Sequence, residues 1–211
     1  GLGDVYKRQG GISFHFVPML MKDHQFNMID GGSTFATLIM IGTFSIQIIG
    51  APYLGKLADN RYKHKNTAKA ELIILIVLIG SLFYLGGFLL DFPVFNILMV
   101  LLFSALILLG AFFMAGDGPI SQSILGDVNP PQVRTTIYSI TFIAQMTGQS
   151  IGILITGILY GIFGNVFKWS FVTITFVLIA SILLLIPLKK TVPSDLAYLE
   201  TKFGRNKSQS M

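Results

Sequence analysis

The sequence predicts an all-α integral membrane protein, and three observations carry that prediction. Of its 211 residues, 53% are hydrophobic and 12% charged, with a mean hydropathy of +0.71; soluble domains carry about a quarter charged residues. Five apolar stretches each reach the roughly 20 residues needed to cross a hydrocarbon core of about 30 Å. Basic residues collect on one side of those stretches. A pI near 9.5 could point to nucleic acid, but cations that fall between spans are explained by topology, so no nucleic-acid partner is expected. The chain has no cysteine, which excludes disulfides, thiolate metal sites and thiol nucleophiles.

The elements follow from apolar length and from the residues that interrupt it. Residues 10–21 read as a partial span, too short to cross a bilayer. Full spans are expected at 33–54, 70–90, 95–118, 136–163 and 167–188. Asp30, Gly31 and Gly32 open the first of these, and Gly55–Lys65 reads as a short basic loop after it. Asp91, Phe92 and Pro93 separate the second from the third. Asn129, Pro130 and Pro131 break the chain before the fourth, and Gly164-Asn165 turns it into the fifth. Residues 10–190 thus form the membrane unit, and 191–211 a polar tail, part helix and part loose.

Orientation follows from counting cations. With the 55–65 loop inside, eleven basic residues are cytoplasmic: Lys56, Arg61, Lys63, Lys65, Lys69, Arg134, Lys189, Lys190, Lys202, Arg205 and Lys207. Lys22 and Lys168 alone remain outside. A multi-pass cell-membrane protein with a cytoplasmic carboxyl terminus is expected.

Asp4-Val5-Tyr6-Lys7-Arg8-Gln9 matches one reading frame of a transposon end used in preparing sequencing libraries. Residues 1–9 are therefore expected to be an adapter artefact, the alternative being a basic lead-in to a helix. On that reading the native sequence starts inside a helix and its amino-terminal part is missing.

Gly55-Lys56-Leu57-Ala58-Asp59-Asn60-Arg61 fits the pattern Gly-x-Leu-Ala-Asp-x-Arg. Between membrane helices, it resembles the signature loop of the major facilitator superfamily of secondary transporters. Asp127-Val128-Asn129-Pro130-Pro131-Gln132-Val133-Arg134 resembles the acidic-x-x-Pro-x-x-x-Arg turn that joins the fourth and fifth helices of each six-helix repeat. The next helix, with Gly148, Gly152, Gly157 and Gly161, is similar to the Gly-rich fifth helix of such a repeat. The resemblance covers the chain from Gly10 onward. It implies a six-helix half of a twelve-helix transporter, its first helix truncated, working by alternating access.

The Asp-Val-Asn-Pro-Pro wording and Lys190–Leu196 are most similar to carboxy-terminal halves of spinster-like members. Asn60 stands where a basic residue is expected and Tyr62 where glycine is expected. That departure fits a second-half copy of the loop, with the amino-terminal half as the alternative.

The resemblance implies a conformational gate at Gly55, Asp59, Arg61, Asp127 and Arg134. Asp59 is expected to accept charge-assisted bonds, from Arg134 or from a helix amino terminus. Gly55 is expected to allow a tight turn. The simpler reading gives Arg61, Lys63 and Lys65 a topological role and a pull on anionic lipid heads. It makes Asp127 and Arg134 a capping pair around the proline turn.

Polar groups within the spans are the candidates for substrate or ion coupling. Asp117 lies about 15 Å from the Asp127 turn by helix rise, near the midplane, where an ionisable group is costly and marks a functional site. Gly116, Gly118 and Pro119 are positioned to break its helix and free backbone carbonyls. The bland alternative ends the span near Gly116 and leaves Asp117 among lipid headgroups. Gln145 and Gln149 share one helix face with Gly152, Thr156 and Tyr160. Their alternative role is interhelical hydrogen bonding, worth about 0.6 kcal/mol. Gln47 is similarly ambiguous, and His15, beside Pro18, either lines a cavity or packs. The Gly148/Gly152 and Gly157/Gly161 pairs read as helix-packing positions, and Trp169 with Tyr160 as an interfacial belt.

The sequence contains no Gly-x-x-x-x-Gly-Lys-Ser/Thr, His-Glu-x-x-His or Gly-x-Ser-x-Gly pattern. Neither an enzyme nor a cofactor is expected. The partners implied are a small-molecule solute, protons, the lipid bilayer and the missing half. Two other readings stay open: a non-transporting scaffold or sensor of the same fold, and a membrane enzyme using Asp117 and His15.

Overall fold

The computed structural model describes residues 10–23, 32–65, 67–90, 96–164 and 166–203. The adapter reading of residues 1–9 and the breaks expected at Asp30-Gly31, Asp91–Pro93 and Asn165 lie outside the described residues. Among the described residues, eight helices follow in order: α1 (Gly10–Lys22), α2 (Gly32–Tyr62), α3 (Ala68–Leu89), α4 (Ile97–Met114), α5 (Asp117–Val128), α6 (Pro131–Ile162), α7 (Phe167–Leu185) and α8 (Leu188–Phe203). Five stretches among the described residues are long and apolar enough to cross a membrane, with α4 and α5 counting together as one crossing, Ile97–Val128.

Local chemistry sets most boundaries. Asn96 caps α4 by accepting from the Leu98 backbone N–H at 2.9 Å. Pro131 opens α6 at its first position, behind an extended Pro130 (ψ 151). The chain turns into α7 at Gly164, whose φ of 66 favours glycine. Between α4 and α5 the helix is interrupted at Ala115 and Gly116. Pro119 has no N–H for the Ala115 carbonyl, so one rung of the ladder is missing there.

The boundary after the first full span differs from expectation. At 31 residues, α2 is longer than a bilayer core requires, and it runs on through the supposed loop to Tyr62. No proline between Gly55 and Tyr62 forces a stop, and Lys56, Leu57, Ala58 and Arg61 are good helix formers. Leu54 and Ala58 are also buried, so packing holds the extension helical.

Two apolar clusters hold the bundle. One joins Phe16, Met19 and Leu20 of α1 to Phe88 of α3, Phe103 of α4 and Phe171 of α7. Its rings stack in pairs, Phe16 on Phe103 at 6.3 Å and Phe88 on Phe171 at 5.1 Å. The other joins Leu54 and Ala58 of α2 to Ile73 and Ile76 of α3, Ile120 and Ile124 of α5, Ile182 of α7 and Val192 of α8. The start of the tail is therefore a packed helix, with Val192 and Leu199 buried. Gly50 lets α2 approach α4 closely, since a Cβ there would lie 2.8 Å from the Phe112 carbonyl oxygen.

The long α6 stands apart from both clusters. Thr156 is its buried residue, and Tyr160 is only partly buried against the first cluster. Gly148, Gly152, Gly157 and Gly161 have nothing within 4 Å of where a Cβ would sit. The close helix contact expected at those glycines is not made among the described residues.

Candidate functional site

At the end where α2 meets α3, the Lys69 side chain is only 5% exposed. Its ammonium donates to Asp127 Oδ2 at 2.7 Å and to Ser123 Oγ at 2.7 Å, and lies 3.2 Å from Asp59 Oδ1. Three oxygens thus face the three donors of one ammonium. The Tyr62 ring lies 4.3 Å away, adding a cation–π contact. The cluster ties the last turn of α2, the first turn of α3 and the last turns of α5. Each charge opposes its own helix dipole, a cation at an amino terminus and two carboxylates at carboxyl termini. The arrangement is favourable only because the three meet.

This corrects the partner expected for Asp59. Extended α2 carries Asp59 to the start of α3, where Lys69 takes the place foreseen for Arg134. The Nε of Arg134 donates instead to the Asn129 carbonyl at 3.1 Å, while Asn129 Nδ2 donates to Leu125 O at 2.8 Å. Arg134 therefore closes the proline turn, and its Nη2 is buried without a hydrogen-bond partner among the described residues. Gly55 is also corrected: it lies inside α2, 3.6 Å from Pro119 by its notional Cβ, and makes no turn. Arg61 is exposed in the last turn of α2, where its charge favours the dipole.

Asp117 opens α5 directly after the interruption, and its carboxylate accepts from Ser121 Oγ at 3.1 Å. An acid in a first turn is favoured there. Gln145 and Gln149 are half-buried on α6, and Gln47 is buried on α2. His15 lies on α1, and its side chain is outside the described residues. α5 and α6 are set against each other by Tyr138, whose hydroxyl donates to the Gln122 carbonyl at 3.3 Å. A cavity of about 20 Å³ among α1, α2, α3 and α4 is lined by Phe16, Met40, Phe44, Tyr84, Phe88 and Ile107, with Thr43 as its one polar side chain. It is otherwise apolar, and Asp117, Gln145 and Gln149 do not border it.

The family model described as Major Facilitator Superfamily matches residues 9–204. The chain belongs to the major facilitator superfamily. No curated protein and no solved structure matches it. As a superfamily member it is a multi-pass membrane protein of the transporter class, and its partner class is small solutes.

Opposite the Lys69 cluster, this superfamily member carries a second polar assembly. Lys22 Nζ donates to Tyr160 Oη at 2.5 Å, and Asp23 Oδ2 accepts from the Lys168 backbone N–H at 2.6 Å. Burial pushes the Asp23 carboxyl above its ordinary 3.8, against the opposing pull of the Lys168 and Phe167 N–H groups. Sequence reasoning gave Lys69 and Asp23 no specific role. A lysine flanked by Ala68 and Ala70 in a first turn was the available signal, since its charge is wrong for that position.

Proposed function

We propose that this chain is the carboxy-terminal six-helix half of a secondary transporter, similar to spinster-like members, that moves a small or amphipathic solute by alternating access. The observation that carries the reading is Lys69 bridging Asp59 and Asp127 across three helices. In this reading the cluster faces the cytoplasm and holds that end closed, and solute passage requires it to part. A charge-assisted hydrogen bond contributes about 1.5–3 kcal/mol. One charge crossing 100 mV supplies about 2.3 kcal/mol, so one proton's transit matches the cost of releasing one such bond. A proton gradient is accordingly the proposed drive, with Asp117 as the coupling carboxylate. Gln145, Gln149 and His15 are the proposed solute contacts, completed by the other half of the protein.

The test is pH-dependent uptake into vesicles holding the intact protein, with a panel of lipids, sugars and organic anions. Proton-driven uptake of one class, abolished by Asp117→Asn, supports the reading. Uptake indifferent to that substitution returns Asp117 to its role as first residue of α5. No uptake across the panel removes the carrier reading.

A further inference from the structure

We propose that Asp23 is a positioning residue that, with Lys22, clasps the end of α1 to α6 and α7 and releases them when that end of the carrier opens. The proposal rests on the carrier reading above.

α7 begins behind Val166, whose side chain cannot cap a helix. The missing acceptor arrives from 145 residues away, as Asp23 Oδ2 on the Lys168 N–H. Its neighbour Lys22 grips Tyr160 near the end of α6, and the Tyr160 ring stacks on Phe167 at 4.0 Å. The contacts close a ring from α1 to α6 to α7 and back to α1. Lys168 extends it by donating from Nζ to the Leu89 carbonyl at 3.3 Å, at the end of α3.

Two features make the clasp releasable. Burial of the Asp23 carboxylate opposes the N–H groups that hold it, and burial is the larger effect. Desolvation of that carboxylate offsets part of what its hydrogen bonds contribute. The charged groups acting on it among the described residues are the adjacent Lys22 and Lys168 of α7, and Lys22 is itself held by Tyr160 of α6. The second feature is Pro18 inside α1, which leaves a carbonyl one turn back without its N–H. Helices bend at such positions, and the clasp residues lie just beyond this one.

With any cysteine outside this cysteine-free chain replaced, a spin-label pair is placed at the rim of this end through Ser33→Cys on α2 and Ile162→Cys on α6. In the intact protein in lipid, label distances would be measured beside amide exchange of residues 166–172. Asp23→Ala is expected to speed exchange at Lys168 and to shift the open-to-closed ratio roughly two- to thirty-fold, the range of a lost helix cap. Asp23→Asn keeps a neutral acceptor, so it is expected to leave the Lys168 amide protected and, with the charge-burial penalty removed, to shift the ratio toward closed. Lys22→Met is expected to widen the distances while leaving the Lys168 amide protected, which keeps the test alive if Asp23→Ala does not fold. Unchanged exchange in Asp23→Ala overturns the trans cap. Faster exchange with unchanged distances reduces Asp23 to a fixed cap and overturns the clasp. If these shifts occur in a protein that takes up no solute, the clasp stands and the carrier reading falls.

Discussion

Lys69 and Asp127 are 58 residues apart in sequence, and their side chains meet at 2.7 Å between α3 and α5. Asp59 approaches the same ammonium at 3.2 Å but is 62% exposed, against 29% for Asp127. Water therefore screens the two carboxylates unequally, and their removal should not have equal effects.

Lys69→Met keeps most of the side-chain stem and deletes the charge that both carboxylates face. It should lower stability by about 1.5–3 kcal/mol, the range for a hydrogen bond to a charged group. Asp59→Asn should cost less than about 1 kcal/mol, as exposed ion pairs do. Asp127→Asn should fall between them. Denaturant unfolding in detergent gives the order directly, and equal losses at all three positions would contradict the geometry.

The gate role predicts a separation of folding from function. Asp59→Asn in the intact protein should insert normally and yet lower the turnover of solute. Surface labelling reports insertion and initial uptake rates report turnover. Unaltered turnover would leave Asp59 as an exposed surface charge.

Two glycines on different helices make opposite predictions. Gly50→Ala drives a methyl group against the Phe112 carbonyl oxygen, backbone that cannot rotate away, and should destabilise by about 1–3 kcal/mol. Gly148→Ala meets nothing within 4 Å in this chain. It should be neutral or stabilising by up to about 1 kcal/mol through helix propensity. Thermal unfolding of the two variants side by side decides the matter.

Acid should favour the fold at Asp23. Its folded-state pKa is raised above 3.8 by burial, so ionisation carries a penalty that is full above the raised pKa. The penalty fades as pH falls through that value and is gone below the unfolded pKa. Asp23→Asn should remove this contribution. The wild-type minus Asp23→Asn difference in Tm should rise on acidification through that window, and a flat difference would refute the assignment.

The sequence discloses the spans, the interruption before Pro119, the proline entry to α6 and the turn at Gly164, because each is written in local chemistry. The helical end of α2 is hidden, since a helix that leaves the membrane loses its hydropathy signal while keeping its backbone bonds. Lys69 is hidden for another reason. Counted among eleven cations, it looks like one more topological charge, and its partners lie 10 and 58 residues away. Asp23 is hidden because its partner is a backbone N–H on a helix 145 residues downstream. Pairings of that kind leave no periodicity to read.

The wrong-signed helix ends at the Lys69 cluster have a consequence for how firmly it closes. Each helix alone would favour the opposite charge, so the contact is frustrated locally and satisfied only by assembly. Exchanging the charges, through Lys69→Asp with Asp127→Lys and Asp59→Asn to relieve repulsion, would align every charge with its own dipole. The same bridge would then be tighter, and less able to part. If the cluster is the proposed gate, a closure that reopens in every cycle is served by residues that fit one another and do not fit their own helices.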